Sequence, residues 1–158
     1  MALTAEVLDE QGELAAVCLI QFRHFGQPEF SGRVATIRCY EDNVRLRDRA
    51  QEEGAGRVLV VDGGGSLRCA LLGDNIATLA LDSGWAGIVV NGCVRDSVAL
   101  DSLGLGVKAL GTNPRPSRKD GAGAIDVPVT FGGVTFEPGA ELFADHDGVV
   151  VLAAADPK

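Results

Sequence analysis

The sequence predicts an α/β domain built on a mixed sheet with hairpins. Three observations lead there. The β-branched runs at 57–62 (RVLVVD) and 86–91 (AGIVVN) flank a helix-like stretch, which is the pattern of a βαβ unit. Short strand-like runs separated by glycine turns fill the C-terminal third, which is the pattern of hairpins. The chain has 158 residues, 46% hydrophobic and 23% charged. That suffices for one domain over residues 1–158 with its own core, and it is too apolar for disorder.

Taken in order, residues 4–10 (TAEVLDE) predict a short helix capped by Thr4. Residues 17–22 predict a strand, 23–31 a loop through Gly26, Pro28 and Ser31, and 34–40 a β-branched strand. Asp42 is placed to cap a helix that runs to about Glu53 and ends at Gly54. The clearest strand, 57–62, is followed by Gly63-Gly64-Gly65-Ser66. That run matches neither GxGxxG nor GxxxxGK[ST], so it reads as a hairpin turn returning through 67–72 rather than a phosphate loop. A helix then starts at Gly73-Asp74, runs to about Ser83 and stops at Gly84. Residues 86–91 form a buried strand that continues through Gly92, Cys93 and Val94, leaving Arg95 and Asp96 at its carboxyl end. Asp96 is placed to cap a helix over 98–103, Gly104 breaks it, and 107–110 is the next strand. Residues 112–123 (TNPRPSRKDGAG) make a basic loop, and 125–131, 134–136 and 149–152 are short strands, after which the chain is expected to fray. We find no internal repeat or linker.

Composition narrows the function. The net charge of −8 repels phosphate backbones, so direct nucleic-acid binding is disfavoured, while a basic protein partner suits such a surface. The 21 glycines imply many tight turns or backbone that approaches a ligand closely. Cys18, Cys39, Cys69 and Cys93 contain no CxxC pair, and the first three read as small core residues. Residues 1–12 carry acids and no basic segment, unlike a signal peptide, and no apolar run approaches the roughly 18 residues of a membrane span. The expected compartment is the cytoplasm.

Two segments could serve a ligand. Gly73, Asp74, Asn75 and Ile76 open a helix, whose free N–H groups favour an anion such as a carboxylate. Arg95 and Asp96 end a buried strand, where α/β proteins commonly bind ligands. Arg95 offers a planar fork to a carboxylate or enolate oxygen, and Asp96 offers hard oxygen to Mg²⁺ or Mn²⁺. Alone, the first reads more simply as an N-cap and the second as a local salt bridge. Together they form D-X20-R-D, spanning one helix and one strand whose ends return to the same sheet edge.

At this point the sequence resembles the RraA-like proteins, which include the regulator of ribonuclease activity A and class II (metal-dependent) 4-hydroxy-4-methyl-2-oxoglutarate/4-carboxy-4-hydroxy-2-oxoadipate aldolases. The resemblance is carried by VLVVDGGGSLRCALLGDNIA, GWAGIVVNGCVRD, VKALGTNPRPSRKDGAG and FGGVTFEPG…ADHDGVVV, in that order, from about Cys18 to Leu152. It implies a swivelling β/β/α domain assembled as a homotrimer or dimer of trimers. It implies that Asp96 ligates a divalent metal, Mg²⁺ or Mn²⁺, and that Asp74 supports it through bound water. It further implies that Arg95 contacts the substrate and steadies the pyruvate enolate, and that backbone amides of Gly73, Asp74, Asn75 and Ile76 hold the pyruvoyl carboxylate. Cleavage of a 4-hydroxy-2-oxo acid and decarboxylation of oxaloacetate release the same enolate, so both activities are expected. Some aldolase members carry a longer C-terminal segment that lends an acid to the neighbouring site. Here the last acid is Asp156, so a weaker base or water is expected to take the hydroxyl proton. The alternative function is a non-enzymatic regulator that binds and inhibits a ribonuclease E-type enzyme or an RNA helicase through its arginine-rich segment.

Other residues fit less demanding roles. Lys108 alternates with apolar neighbours and is expected to face solvent, which removes a Schiff-base route, since Lys119 lies in a polar loop and Lys158 is terminal. His24 and His146 form no HxH or HExxH pattern, so zinc is not expected. Asp145 and Asp147 lack EF-hand spacing. Trp85 reads as core or interface, and Arg115, Arg118 and Lys119 either gate an anionic substrate or are simply solvated. A methyltransferase reading of VLVVDGGG lacks a supporting nucleoside-binding acid.

Overall fold

A computed structural model describes residues 3–154. In chain order its elements are α1 (Thr4–Gln11), β1 (Ala15–Val17), β2 (Arg23–Gly26), β3 (Phe30–Arg38), α2 (Val44–Ala50), β4 (Val58–Asp62), β5 (Ala70–Leu72) and α3 (Asp74–Asp82). They continue with β6 (Gly87–Val94), α4 (Ser97–Asp101), β7 (Gly106–Thr112), β8 (Ala124–Ile125), β9 (Val129–Phe131), β10 (Val134–Phe136), β11 (Glu141–Asp145) and β12 (Gly148–Leu152).

Period-2 alternation along the central strands decides the layering. Leu59 and Val61 of β4, with Ile88 and Val90 of β6, join a core beneath the helices. Val58, Val60 and Val89 join a second core on the opposite face, with Phe131, Val134, Leu142 and Val149. Both faces are covered, so these strands read as continuous apolar runs. The main sheet runs β1-β12-β11-β3-β4-β6-β7-β2, with β5 added beside β6 and β8 beside β3. Its centre, β3-β4-β6-β7, is parallel and its flanks are antiparallel. Strand β3 bridges the two halves: residues 30–33 pair with β11 and 34–38 with β4. The β9-β10 ribbon closes the far core. This is the β/β/α layering that the resemblance implies.

One close approach fixes the central register. Gly87 and Gly106 are cross-strand partners, and a Cβ on either would lie 2.3 Å from the Phe30 ring. Phe30 therefore lies across two glycines and seals that end of the far core.

Several local expectations are corrected. The glycine run makes no hairpin, because β5 pairs in parallel with β6. The N–H groups of Gly63 and Gly65 donate to the Asn91 carbonyl at 3.0 and 3.1 Å, which folds the loop over the end of β6. Gly64 donates to Asp62, so the run offers no free amide cradle to a phosphate either. Thr4 does not cap its own helix: its N–H and hydroxyl donate to Asp145 at 2.8 and 2.7 Å, tying α1 to β11. The strand expected at 17–22 occupies 15–17, and the expected loop 23–31 contains β2 and the start of β3. The helix begun near Asp42 ends at Ala50, and the run 125–131 divides into β8 and β9 around Asp126, whose φ is +58°. Strand β11 was not anticipated. The helix over Gly73 to Ser83 and the strand ending at Val94 are where the sequence places them. The expected fraying and the role of Asp156 fall on residues 155–158, outside the described residues.

Candidate active site

The site is assembled where β5 and β6 end together. Strand β5 stops at Leu72 and Gly73 becomes the N-cap of α3. Strand β6 stops at Val94, and the Arg95 N–H donates to the Leu72 carbonyl at 2.9 Å, locking the two strand ends side by side. The chain turns sharply at Asp96, which adopts a left-handed conformation with φ 59° and ψ 43°. Asp96 stands at the N-cap position of α4, as expected, but its carboxylate does not cap that helix. It turns instead to α3 and accepts the Asp74 N–H at 3.1 Å. A carboxylate is thus held against the positive end of a nine-residue helix. Geometry leaves the N–H groups of Asn75 and Ile76, in the first turn, without intrahelical acceptors.

Gly73 makes this approach possible. A Cβ there would lie 2.6 Å from Asp96 Oδ2 and 3.4 Å from Arg95 Cγ. Arg95 lies exposed, with its guanidinium 3.4 Å from the Pro114 carbonyl. Asp74, Arg95 and Asp96 therefore converge on one cleft of about 180 Å³, together with Gly73, Asn75 and Ile76. All six residues proposed from sequence line it.

The opposite wall was not anticipated in full. Asn43, Val44 and Arg47, from the start of α2, line the cleft with Lys119 and Pro116 of the basic loop. Asn43 Nδ2 donates to the Leu71 carbonyl at 3.1 Å, and Lys119 Nζ donates to Asn43 Oδ1 at 3.1 Å. The sequence reads Lys119 with Arg115 and Arg118 as either a gate for an anionic substrate or a solvated loop cation, and Lys119 lines the cleft; Asn43 and Arg47 had no signal at all. The only cue was that 112–123 and the helix after Asp42 both follow strands of a parallel sheet, whose carboxyl ends share one edge.

Asp96 and Asp74 are the oxygen donors on this edge of the cleft. Among the described residues no cluster of three or more His, Cys, Asp or Glu side chains forms a metal cage. One exposed carboxylate beside a second fits an ion that keeps most of its water, which is the habit of Mg²⁺.

A second hollow, of about 350 Å³, adjoins the cleft at Pro116 and is lined by Glu41, Arg68, Cys69, Arg115, Ser117 and Arg118. Glu41 accepts both Arg68 Nε and Nη2 at 2.7 Å and Ser66 Oγ at 2.6 Å. The Arg68 hydrogen bonds, with that of Ser66, hold its carboxyl down to about 2.

The remaining candidates lie elsewhere. Lys108 does not face solvent, as expected from its alternation, but is 3% exposed on the far-core side of β7, because that side is roofed by the β layer. Burial lowers its pKa, and Asp145 opposes that shift. The His24 and His146 rings lie 6.2 Å apart, tilted by 56°, beside this region and away from the cleft. Trp85 is core, its indole N–H donating to the Glu52 carbonyl at 3.1 Å. All four cysteines are buried free thiols, and burial raises the pKa of each.

Known proteins resemble this chain in sequence and fold. A Laribacter hongkongensis protein, provisionally assigned as a 4-hydroxy-4-methyl-2-oxoglutarate aldolase, is 53% identical over 149 residues, covering 94% of each chain. The crystal structure of S-adenosylmethionine:2-dimethylmenaquinone methyltransferase from Geobacillus kaustophilus superposes with a TM-score of 0.95 at 45% identity, over 98% of this chain and 96% of that one. The RNA-processing inhibitor RraA from Thermus thermophilis superposes with a TM-score of 0.94 at 45% identity, over 99% of this chain and 95% of that one. The RraA-like family description, Aldolase/RraA, matches residues 4–151 and so takes in both walls of the cleft; the chain belongs to that family.

Proposed function

We propose that the cleft cleaves 4-hydroxy-4-methyl-2-oxoglutarate to pyruvate with the help of Mg²⁺ or Mn²⁺, and that it decarboxylates oxaloacetate. The observation that carries this reading is the convergence of Arg95, the Asp96 carboxylate and the α3 N-terminus in one cleft. The Laribacter relative supports the lyase chemistry.

The residues divide the work as follows. The N–H groups of Asn75 and Ile76 receive the C1 carboxylate of the 2-oxo acid. Arg95 places positive charge where the C2 oxygen becomes an enolate as the C3–C4 bond breaks. The C4 hydroxyl loses its proton, C4 becomes a carbonyl, and the electron pair of the broken bond passes into the enolate. Protonation of that enolate at C3 gives pyruvate, and the other fragment is a second pyruvate. A divalent ion held by Asp96, with Asp74 bonding its water, would supply Lewis-acid polarisation of the 2-oxo group. Lys119 and Arg47, which line the opposite wall, are the cations that would receive the second carboxylate of such a substrate. In oxaloacetate the C4 carboxylate leaves as CO₂ and the same enolate forms.

Pyruvate release is to be measured from both substrates with Mg²⁺, with EDTA, and with Asp96→Ala. Release that requires both metal and Asp96 is the expected result. Full activity in Asp96→Ala would remove the metal role. A second reading is favoured by the likeness to the Thermus inhibitor and by the charge of −8: docking onto an arginine-rich segment of a ribonuclease or helicase. No release above the metal background, with salt-sensitive binding of an arginine-rich peptide, would move the assignment to that reading.

A further inference from the structure

The cleft's opposite wall is held by a charge that the proposed chemistry does not use. Asp42 lies just before α2, and it is 1% exposed. No arginine or lysine pairs with it among the described residues. Its carboxylate instead accepts backbone N–H groups from Val44 at 3.1 Å, Asp120 at 2.7 Å and Gly121 at 3.1 Å. Burial pushes its pKa up, and these donors outweigh that, so the carboxyl stays below its ordinary value.

The bonds join two distant segments. The Arg118 N–H donates to the Glu41 carbonyl at 2.9 Å, and the Asn43 N–H donates to the Arg118 carbonyl at 3.3 Å. Residues 41–43 and 118–121 are therefore zipped together, with the Asp42 carboxylate gripping the far end. Glu41 adopts φ +56°, a conformation that costs a non-glycine residue about 1–3 kcal/mol, and its side chain turns the other way, to Arg68. An exposed loop can satisfy its amides with water. A buried carboxylate that holds it instead fixes where the loop stands, and the residue so placed is Lys119, next to Asp120, with Asn43 next to Asp42.

We propose that Asp42 is a positioning residue that makes the cleft selective for substrates with a second carboxylate, by clamping residues 118–121 so that Lys119 stands paired with Asn43 in the cleft that holds Arg95. This rests on the proposed aldolase reading, which supplies a substrate with two carboxylates. The physical basis is preorganisation: a lysine already held in place loses less rotamer freedom when it meets its anion.

The test compares two ligands and four proteins. The parent chain, Asp42→Ala, Lys119→Met and the double variant are assayed with 4-hydroxy-4-methyl-2-oxoglutarate and with 4-hydroxy-2-oxopentanoate, which lacks the second carboxylate. Asp42→Ala is expected to raise KM for the dicarboxylate about tenfold and to change kcat/KM for the monocarboxylate by less than about twofold. In the Lys119→Met background, Asp42→Ala should have no further effect on that ratio. Asp42→Asn, which keeps one acceptor oxygen, should recover part of the selectivity. Equal losses with both substrates, or additive effects in the double variant, would make Asp42 a purely structural anchor and overturn the proposal.

Two further readouts separate this from the aldolase reading. Amide hydrogen exchange at Asp120 and Gly121 should accelerate in Asp42→Ala while Ala77, inside α3, stays protected. Unchanged exchange there overturns the clamp. If the parent chain cleaves nothing, the aldolase reading falls, and calorimetry with 2-oxoglutarate and pyruvate decides the selectivity. A parent preference for 2-oxoglutarate that Asp42→Ala abolishes supports the proposal, and no preference overturns it.

Discussion

Arg95, just past the end of β6, and Lys108, within the adjacent parallel strand β7, are cations that the fold treats oppositely. Arg95 follows the last residue of β6 and lies exposed at the carboxyl edge, in a cleft beside a helix N-terminus. Lys108 sits inside β7 opposite Val89 and is 3% exposed, turned toward the β layer. Burial displaces the pKa of Lys108, although the cleft and its helix amides lie at another edge. At Lys108 the displaced pKa marks packing, whereas the charge proposed to act stands just past the end of a strand. Perturbed titration points to a site only when geometry agrees.

The largest effect is expected at Arg95. Arg95→Ala should lower kcat for pyruvate release by about 10²–10³, because in the proposed reaction the charge it meets develops only as the bond breaks. Stability should change by less than about 0.5 kcal/mol, since the side chain is exposed and its hydrogen bond to the Pro114 carbonyl, at 3.4 Å, is long. A raised KM with unchanged kcat would show that Arg95 only holds the ground state.

Gly73→Ala attacks the same edge without removing a charge. The φ of −130° suits alanine, so the backbone is not strained. The new methyl would displace Asp96 Oδ2 and Arg95 Cγ, and turnover should fall about tenfold, since small misplacements at such sites are costly. Circular dichroism should show the helices intact. Unchanged turnover would mean that the Asp96 carboxylate has freedom to stand elsewhere.

What the sequence made legible follows the same division. The unit from β4 to β6 was readable because VLVVD and GIVVNGCV are buried on both faces, and because Gly73 and Gly84 punctuate the helix between them. Its carboxyl edge, with Asp74, Arg95 and Asp96, was therefore readable too. The opposite wall was not, since Asn43 and Lys119 meet through a side-chain bond between segments 76 positions apart, which backbone bonds of the same long range hold together. The parallel pairing of β5 depends on two amides reaching the Asn91 carbonyl, which no local pattern encodes. Strand β11 was hidden by acids at both ends, Glu141 and Asp145, the second of which is buried because Thr4 of α1 satisfies it. Lys108 was misjudged because alternation predicts which face a residue takes, not whether a second layer covers that face.

Lys108→Met probes the buried cation. Replacing a buried ammonium with an apolar chain of similar length should raise stability by about 1 kcal/mol and leave kcat unchanged. The pH dependence is more diagnostic. The folded pKa lies below the ordinary 10.5, so in the window between the two the unfolded chain binds more protons. This residue therefore makes stability rise as pH climbs toward 10.5, and Lys108→Met should flatten that rise. Denaturant midpoints between pH 8 and 10.5 measure it. A slope that survives the substitution would assign it to another group.

The smallest effect lies back at the cleft edge and has the opposite sense. Glu41 is held down to about 2 by Arg68 and Ser66, against an ordinary 4.5. Its contribution is fully present above pH 4.5 and is lost as pH falls toward 2. Glu41→Gln should therefore flatten the acid limb of the stability curve in that window and leave the alkaline slope from Lys108 untouched. The effect should be modest, because the Arg68 side chain is 75% exposed and the pair is open to screening, and high salt should shrink it further. With Lys108→Met acting only on the alkaline side, the two variants divide the stability curve between the cleft edge and the β layer. If each altered both limbs, the two regions would be coupled through the sheet, and the contrast between Arg95 and Lys108 would no longer be one of independent sites.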